Sequence, residues 1–267
     1  MKIALSTLLA ITALFSSTTA EVNTPFTVNT PFTVNKNPVD VTLFVMSRCP
    51  DAIKCEGVFS RVFQAENLPP VDPLLSYIGS IDRTSVSTSD VHTNPASGFR
   101  NSTTTTTTTT VTCKHGPLEC AGNTQQLCFK KYFSDHSVWV RFVVTMNSLQ
   151  SRRIGEPEYA REVGEKIVGG TVDKETESLL DKVDECSRGQ EGFELLVDSV
   201  QHTIDHGVGT SCTVFIDNKK RCVVDGGVWR ECPEGSSVAD FVRSIKEAAL
   251  QLTTTLMKSC LFRRKSW

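Results

Sequence analysis

The first strand-like run is VDVTLFVM (39–46), mostly apolar and β-branched, a pattern expected of a strand buried on both faces. Val58, Phe59, Val62 and Phe63 then recur at helical spacing, which predicts a helix to about Glu66, stopped by NLPP (67–70). PLLSYIGSI (73–81) predicts a second strand. From 171 the pattern is helical again: Leu179, Leu180 and Val183 share a face, DECSRGQEG (184–192) interrupts it, and Phe193, Leu196, Val197, Val200 and Ile204 mark a further helix closed by Gly207. CTVFIDNKKRCVV (212–224) predicts a hairpin turning at Asp217–Lys220. Val238, Phe241, Val242, Ile245 and Ala249 predict a last helix, begun by Ser237 with Asp240 three residues on.

Between these elements lies a polar, low-complexity stretch, 84–112, with eight consecutive threonines at Thr103–Thr110. Such a segment packs no core, and β-branching disfavours helix, so it is expected to be a surface loop suited to O-glycosylation. Asn101-Ser102-Thr103 is an N-glycosylation sequon within it. The order strand–helix–strand, helical insertion, hairpin, helix predicts an α/β fold: a thioredoxin-like sheet with an enlarged helical, disulfide-stapled insertion.

The N-terminus changes the setting. Lys2, an apolar run from Ile3 to Phe15 and small residues up to Ala20 have the build of a secretory signal peptide, 1–20. The repeated NTPFTV that follows predicts a disordered leader, 21–38, ahead of a domain at 39–252 and a tail at 253–267. No segment approaches the ~20 apolar residues of a membrane span. Removing Lys2 with the signal leaves 27 basic against 30 acidic side chains, and no basic stripe recruits nucleic acid. All ten cysteines lie beyond the expected cut, an even number that an oxidising compartment would pair.

Those cysteines carry the candidate chemistry. MSRCPDAIKC (46–55) sets Cys49 between a strand and a helix, where unpaired helix amides favour a thiolate, and Pro50 suits the first helical position. Arg48 adds positive charge nearby and Asp51 opposes it. Cys55 stands six residues on, about 9 Å along a regular helix axis and on another face. A Cys49–Cys55 bond, which needs Cα atoms within about 7 Å, therefore requires PDAIK to be a loop and the helix to start near Cys55. In the hairpin, a turn centred between Asn218 and Lys219 sets Cys222 opposite Phe215 and points Cys212 to the other face, so Cys222 is expected to bridge to Cys232.

Residues 113–128, CKHGPLECAGNTQQLC, resemble the signature of the gamma-interferon-inducible lysosomal thiol reductase (GILT) family in Cys113, His115, Gly116, Glu119, Cys120, Asn123 and Cys128. VDVTLFVMSRCP, DECSRGQEGFELL and CTVFIDNK are similar to further segments of that family, so the resemblance covers roughly 40–252, and the CPDAxxC form looks like divergent members found in fungi. It implies a secretory-pathway thiol–disulfide oxidoreductase that reduces protein disulfides. Cys49 would be the nucleophile, Cys55 the resolving partner and a small thiol the electron donor, with no bound cofactor. The implied location is secreted, lysosomal or vacuolar. Two departures stand out. The family's C-x-x-C is replaced by Cys49 and Cys55, and the Val-Pro whose cis proline faces the active thiol is matched by Ser211-Cys212. Cys212 is thereby a second possible partner for Cys49.

Other readings rank lower. Cys113, His115, Cys120 and Cys128 lack the spacing of a zinc site. His202 and His206 stand i, i+4 without the H-E-x-x-H arrangement, a pair expected on a solvated face. His115 is either a base beside a thiol or, preferred, a hydrogen-bond donor to a loop carbonyl. The rival to an enzyme is a non-catalytic secreted glycoprotein using the fold as a binding scaffold.

Overall fold

A computed structural model describes the backbone of residues 38–94, 98–169 and 173–264. The expected signal peptide and almost all of the expected leader lie outside the described residues. Strand β1 (Val39–Val45) leads into helix α1 (Pro50–Val62) and parallel strand β2 (Val71–Tyr77), and β1 alternates its side chains between two covered faces. Leu43 points to α1 and α3 (His136–Gln150), where it lines a small apolar pocket with Phe59, Trp139 and Val143. Phe44 points the other way, onto His202 of α6 (Gln190–Asp205), the ring centroids 5.8 Å apart. The α1 stripe Ala52, Cys55, Glu56, Phe59 and Val62 is buried, and Phe59 meets Phe241 of α7 (Val238–Arg264) at 4.7 Å.

After the helical insertion the chain returns as β5 (Thr213–Ile216), β6 (Lys219–Asp225) and β7 (Val228–Arg230), each antiparallel to its neighbour, giving the sheet order β2-β1-β5-β6-β7. A parallel β-α-β unit joined through its first strand to an antiparallel hairpin and a closing helix is the thioredoxin-like α/β topology. The insertion comprises α2 (Pro117–Tyr132), α3, α4 (Pro157–Val168), α5 (Lys174–Arg188) and α6. A Cys128–Cys186 bridge staples α2 to α5, with Cα atoms 5.9 Å apart.

Several expectations need correction. The stretch 84–112 is not an irregular loop. It forms most of an antiparallel ribbon, β3 (Ser80–Asn94) on β4 (Gly98–Thr112), because a β-branched sequence prefers the extended backbone. Ser85 and Ser87 pair with Thr107 and Thr105 across it at 3.0 and 3.1 Å. Asn101 lies on β4 opposite Val91, its side chain outside the described ones. The strand expected at 73–81 is divided, since the chain passes from β2 to β3 at Ile78–Gly79. The interruption expected over 184–192 narrows to Gly189, where α5 ends and α6 begins. The first helix stops at Val62, short of Glu66, and α7 runs on through Arg264, so residues 253–264 are helical rather than a tail. Ser237 and Asp240 cap α7 reciprocally: the Ser237 amide donates to Asp240 Oδ2 at 3.0 Å and the Asp240 amide to Ser237 Oγ at 3.2 Å.

The hairpin register also shifts. Its turn is the residue pair Asp217-Asn218, both in left-handed conformation, and a bulge between Val214 and Phe215 brings Cys222 opposite Val214 instead of Phe215.

Residues 84–87 and 105–108 of the ribbon are exposed. Removing its outer part, 86–106, should therefore move the thermal unfolding midpoint by no more than about 2 °C. A larger fall in a calorimetric scan would show that the ribbon supports the domain.

Candidate functional site

Cys49 is the residue that hands β1 to α1. Its amide closes a tight turn on the Met46 carbonyl at 2.9 Å, and its own carbonyl accepts from the Ile53 amide at 3.1 Å. It is the N-cap of α1, with extended backbone, and Pro50 follows at the first helical position, where no amide hydrogen is required. The thiol is free, and the residue as a whole is buried, 7% exposed.

Three parts of the chain hold this turn. Ser47 donates its amide to Asn123 Oδ1 at 3.0 Å and its hydroxyl to the Glu119 carbonyl at 3.2 Å, both on α2. Arg48 Nη1 donates to the carbonyls of Arg152 and Ile154 at 2.9 and 2.6 Å. On the other side Asp51 accepts the amides of Gly226 and Gly227 at 3.1 and 2.6 Å, and Lys54 Nζ donates to the Gly227 carbonyl at 2.6 Å. The approach of α2 depends on Gly122: a Cβ there would stand 2.7 Å from Ser47 Oγ and overlap the Ile154 side chain. Neither Gly122 nor Ser47 was singled out from the sequence. A glycine inside a helix, which costs roughly 0.5–1 kcal/mol relative to alanine, was the signal that backbone comes close there.

The pairing of Cys49 with Cys55 is corrected by the start of α1. Because the helix begins at Pro50, Cys55 lies on its buried face a turn and a half beyond Cys49, and it is bonded instead to Cys212, 157 residues away, with Cα atoms 6.3 Å apart. Cys212 is bonded to Cys55 rather than to Cys49, and the Ser211–Cys212 peptide is cis. Cys113 and Cys120 are bridged, Cα atoms 5.5 Å apart, as are Cys222 and Cys232 at 4.7 Å. Among the cysteines whose side chains are described, Cys49 is the free one.

The remaining signature residues build the entry to α2. Gly116 caps the helix at φ 86°, a left-handed conformation suited to glycine. His115 does not reach a loop carbonyl. Its amide donates to Glu119 Oε1 at 3.1 Å and its Nδ1 pairs with Glu119 Oε2, because that carboxylate is buried one helical turn away. His202 and His206 are not on a solvated face either, since Phe44 packs against both rings and Ser76 Oγ lies 2.8 Å from His202 Nδ1. Burial, then the charge of His206, hold the His202 imidazole below its usual 6.5. Among the described residues no group of three or more His, Cys, Asp or Glu side chains could hold a metal ion.

A buried acid lies next to Cys55. Glu56 accepts from Asn147 Nδ2 at 2.5 Å, while its Oε1 and Asn147 Oδ1 are left without partners. Burial raises this carboxyl from its ordinary 4.5 to about 8, against the smaller opposing effect of the Asn147 hydrogen bond. Burial, and next the Glu56 charge, also push the Tyr77 phenol up; its hydroxyl donates to Gln126 Oε1 at 2.5 Å.

A free cysteine at a strand-to-helix turn, on a β-α-β unit closed by a hairpin and helix, defines a thiol–disulfide oxidoreductase fold. Residues 40–162 match the model of the family described as gamma interferon inducible lysosomal thiol reductase (GILT). No curated protein sequence matches it. Among solved structures, the oxidoreductase NmDsbA1 from N. meningitidis is 11% identical, with 82% of this chain and 86% of that one covered and a TM-score of 0.46. DsbA from Xylella fastidiosa is 9% identical over 83% and 87%, with a TM-score of 0.43. The cytosolic disulfide reductase DsbM from Pseudomonas aeruginosa is 13% identical over 82% and 98%, with a TM-score of 0.42.

Glu56 makes the fold's stability depend on pH. The folded protein keeps this proton up to about pH 8, whereas the unfolded chain releases it near 4.5. The contribution is complete below 4.5 and is lost as pH rises through 8, a change on the order of a few kcal/mol. Glu56→Gln should therefore be no less stable than wild type at pH 5 and more stable at pH 9 in chemical denaturation. Equal pH slopes for the two proteins would contradict this.

Proposed function

We propose that the protein is a thiol–disulfide oxidoreductase of the secretory pathway that reduces protein disulfides through the Cys49 thiolate. The observation that supports it best is that Cys49 stays free at the N-cap of α1 while eight other cysteines are bridged. Cys49 thus stands at the end of α1 where the first-turn amides have no partner within the helix.

In the proposed reaction Cys49 Sγ attacks one sulfur of a substrate disulfide. That bond breaks, a mixed disulfide with Cys49 forms, and the other substrate sulfur leaves as a thiolate that takes up a proton. Cys55, the resolving partner expected from sequence, is held by Cys212, so the second thiol comes from solution. One small thiol displaces the reduced substrate from Cys49 and a second releases Cys49, giving two substrate thiols and one small-molecule disulfide. No bound cofactor takes part.

The expected signal peptide and sequon, with four bridges in the domain, support a site of action in the lysosome or vacuole or outside the cell. No helix among the described residues is long and apolar enough to cross a membrane. The scaffold reading draws on two observations: the burial of Cys49 and the engagement of Cys55 with Cys212.

The two readings part in one assay, reduction of a disulfide-bonded model protein by a small thiol. Wild type should accelerate it, and Cys49→Ser should return it to the uncatalysed rate with an unchanged circular dichroism spectrum. A Cys49→Ser protein as fast as wild type would rule out Cys49 as nucleophile. A wild type no faster than the small thiol alone would favour the scaffold.

A further inference from the structure

The turn that carries Cys49 and the Cys113–Cys120 bridge meet on one side chain. Asn123 is fully buried in α2. Its Oδ1 accepts from the Ser47 amide at 3.0 Å, and its Nδ2 donates to Cys113 Sγ at 3.7 Å. One end of the amide therefore holds the backbone two residues before the free thiol, and the other rests on a disulfide sulfur. The bridge fixes that sulfur by closing a seven-residue separation over the first turn of α2, within which the Gly116 amide bonds the Cys113 carbonyl at 3.1 Å. Cys113 is buried and Cys120 is partly exposed. Once the bridge opens, Cys113 Sγ is free to rotate, and the Asn123 amide loses the contact that orients it toward Ser47.

We propose that Asn123 is a positioning residue for Cys49, and that the Cys113–Cys120 bridge sets the reactivity of Cys49 through it. With the bridge closed the Cys49 turn is held against α2; with it open the turn loosens and the thiol reacts more slowly. Opening is a two-electron step: two small thiols are oxidised to their disulfide, the Sγ–Sγ bond breaks, and each cysteine sulfur takes a proton from the reductant. The regulatory meaning rests on Cys49 being the attacking thiol.

The test follows alkylation of Cys49 by iodoacetamide in the full chain as a function of pH, read by peptide mass spectrometry. Asn123→Ala and the double variant Cys113→Ala/Cys120→Ala should each slow capture near neutral pH by about tenfold, the scale of one buried hydrogen bond. Their profiles should be displaced to higher pH, with the alkaline plateau retained. Combining all three substitutions should add nothing, because both act on one contact. Profiles that overlay wild type in proteins with native circular dichroism, or effects that add, would overturn the proposal. If a variant fails to fold, wild type partly reduced at Cys113–Cys120 supplies the same comparison: molecules with the open bridge should be captured more slowly, and equal capture would overturn it. Alkylation needs no turnover, so unaltered capture sinks this inference alone, whereas an active Cys49→Ser protein sinks the proposed activity.

Discussion

The arrangement around Cys49 depends on how closely α2 approaches the turn between β1 and α1. A single methyl at Gly122 would collide with Ser47 Oγ and with Ile154, and it would separate the two hydrogen bonds that Ser47 makes to α2. The insertion is therefore more than an addition to the edge of a sheet. Its first helix supplies a wall of the Cys49 turn, and the Arg152–Ile154 segment after α3 supplies another through Arg48. Met46 and Ser47 are buried and Cys49 nearly so, which makes the turn a packed part of the core whose polar groups need protein partners.

The second determinant is the position at which α1 begins. With Pro50 in the first turn, residues 49 and 55 cannot share a short bridge, and Cys55 turns inward to the strand pair instead. Its bond to Cys212 ties α1 to the start of β5 across 157 residues, while Asp51 and Lys54 tie the same helix to the β6–β7 turn. The first half of the helix that presents the free thiol is thus fixed by contacts from the C-terminal part of the chain. The same packing isolates Glu56, whose proton is retained because ionisation would leave a buried charge with only one amide donor.

Much of this was legible in the sequence where one physical signal dominated. The apolar run at 39–46, the amphipathic pattern of α6 and the Ser237–Asp240 cap each specify their element locally, and the strand–helix junction at Cys49 follows from the Cys-Pro pair. The misreadings share a cause, which is that distant packing decided them. A threonine tract excludes helix, but whether it stays irregular or pairs depends on a partner strand of matching length, here β3. The hairpin register turned on a single bulge at Val214/Phe215, which no pattern of alternation reveals. Helices α2 to α4 were expected only as an undivided insertion. The buried face of α2 carries Glu119, Asn123, Gln125 and Gln126, and polar residues facing a core leave no hydrophobic period to detect. The partner of Cys55 was equally out of reach, since pairing follows three-dimensional proximity and the sequence offers only separation.

The central claim is that Cys49 is a free thiol and that Cys55 is bonded to Cys212. Disulfide mapping tests it directly: the native protein is alkylated without reduction, digested, and its linked peptides identified by mass spectrometry. The account predicts an alkylated Cys49 and a peptide pair joining Cys55 to Cys212. A peptide pair joining Cys49 to Cys55, or Cys49 to Cys212, would contradict it.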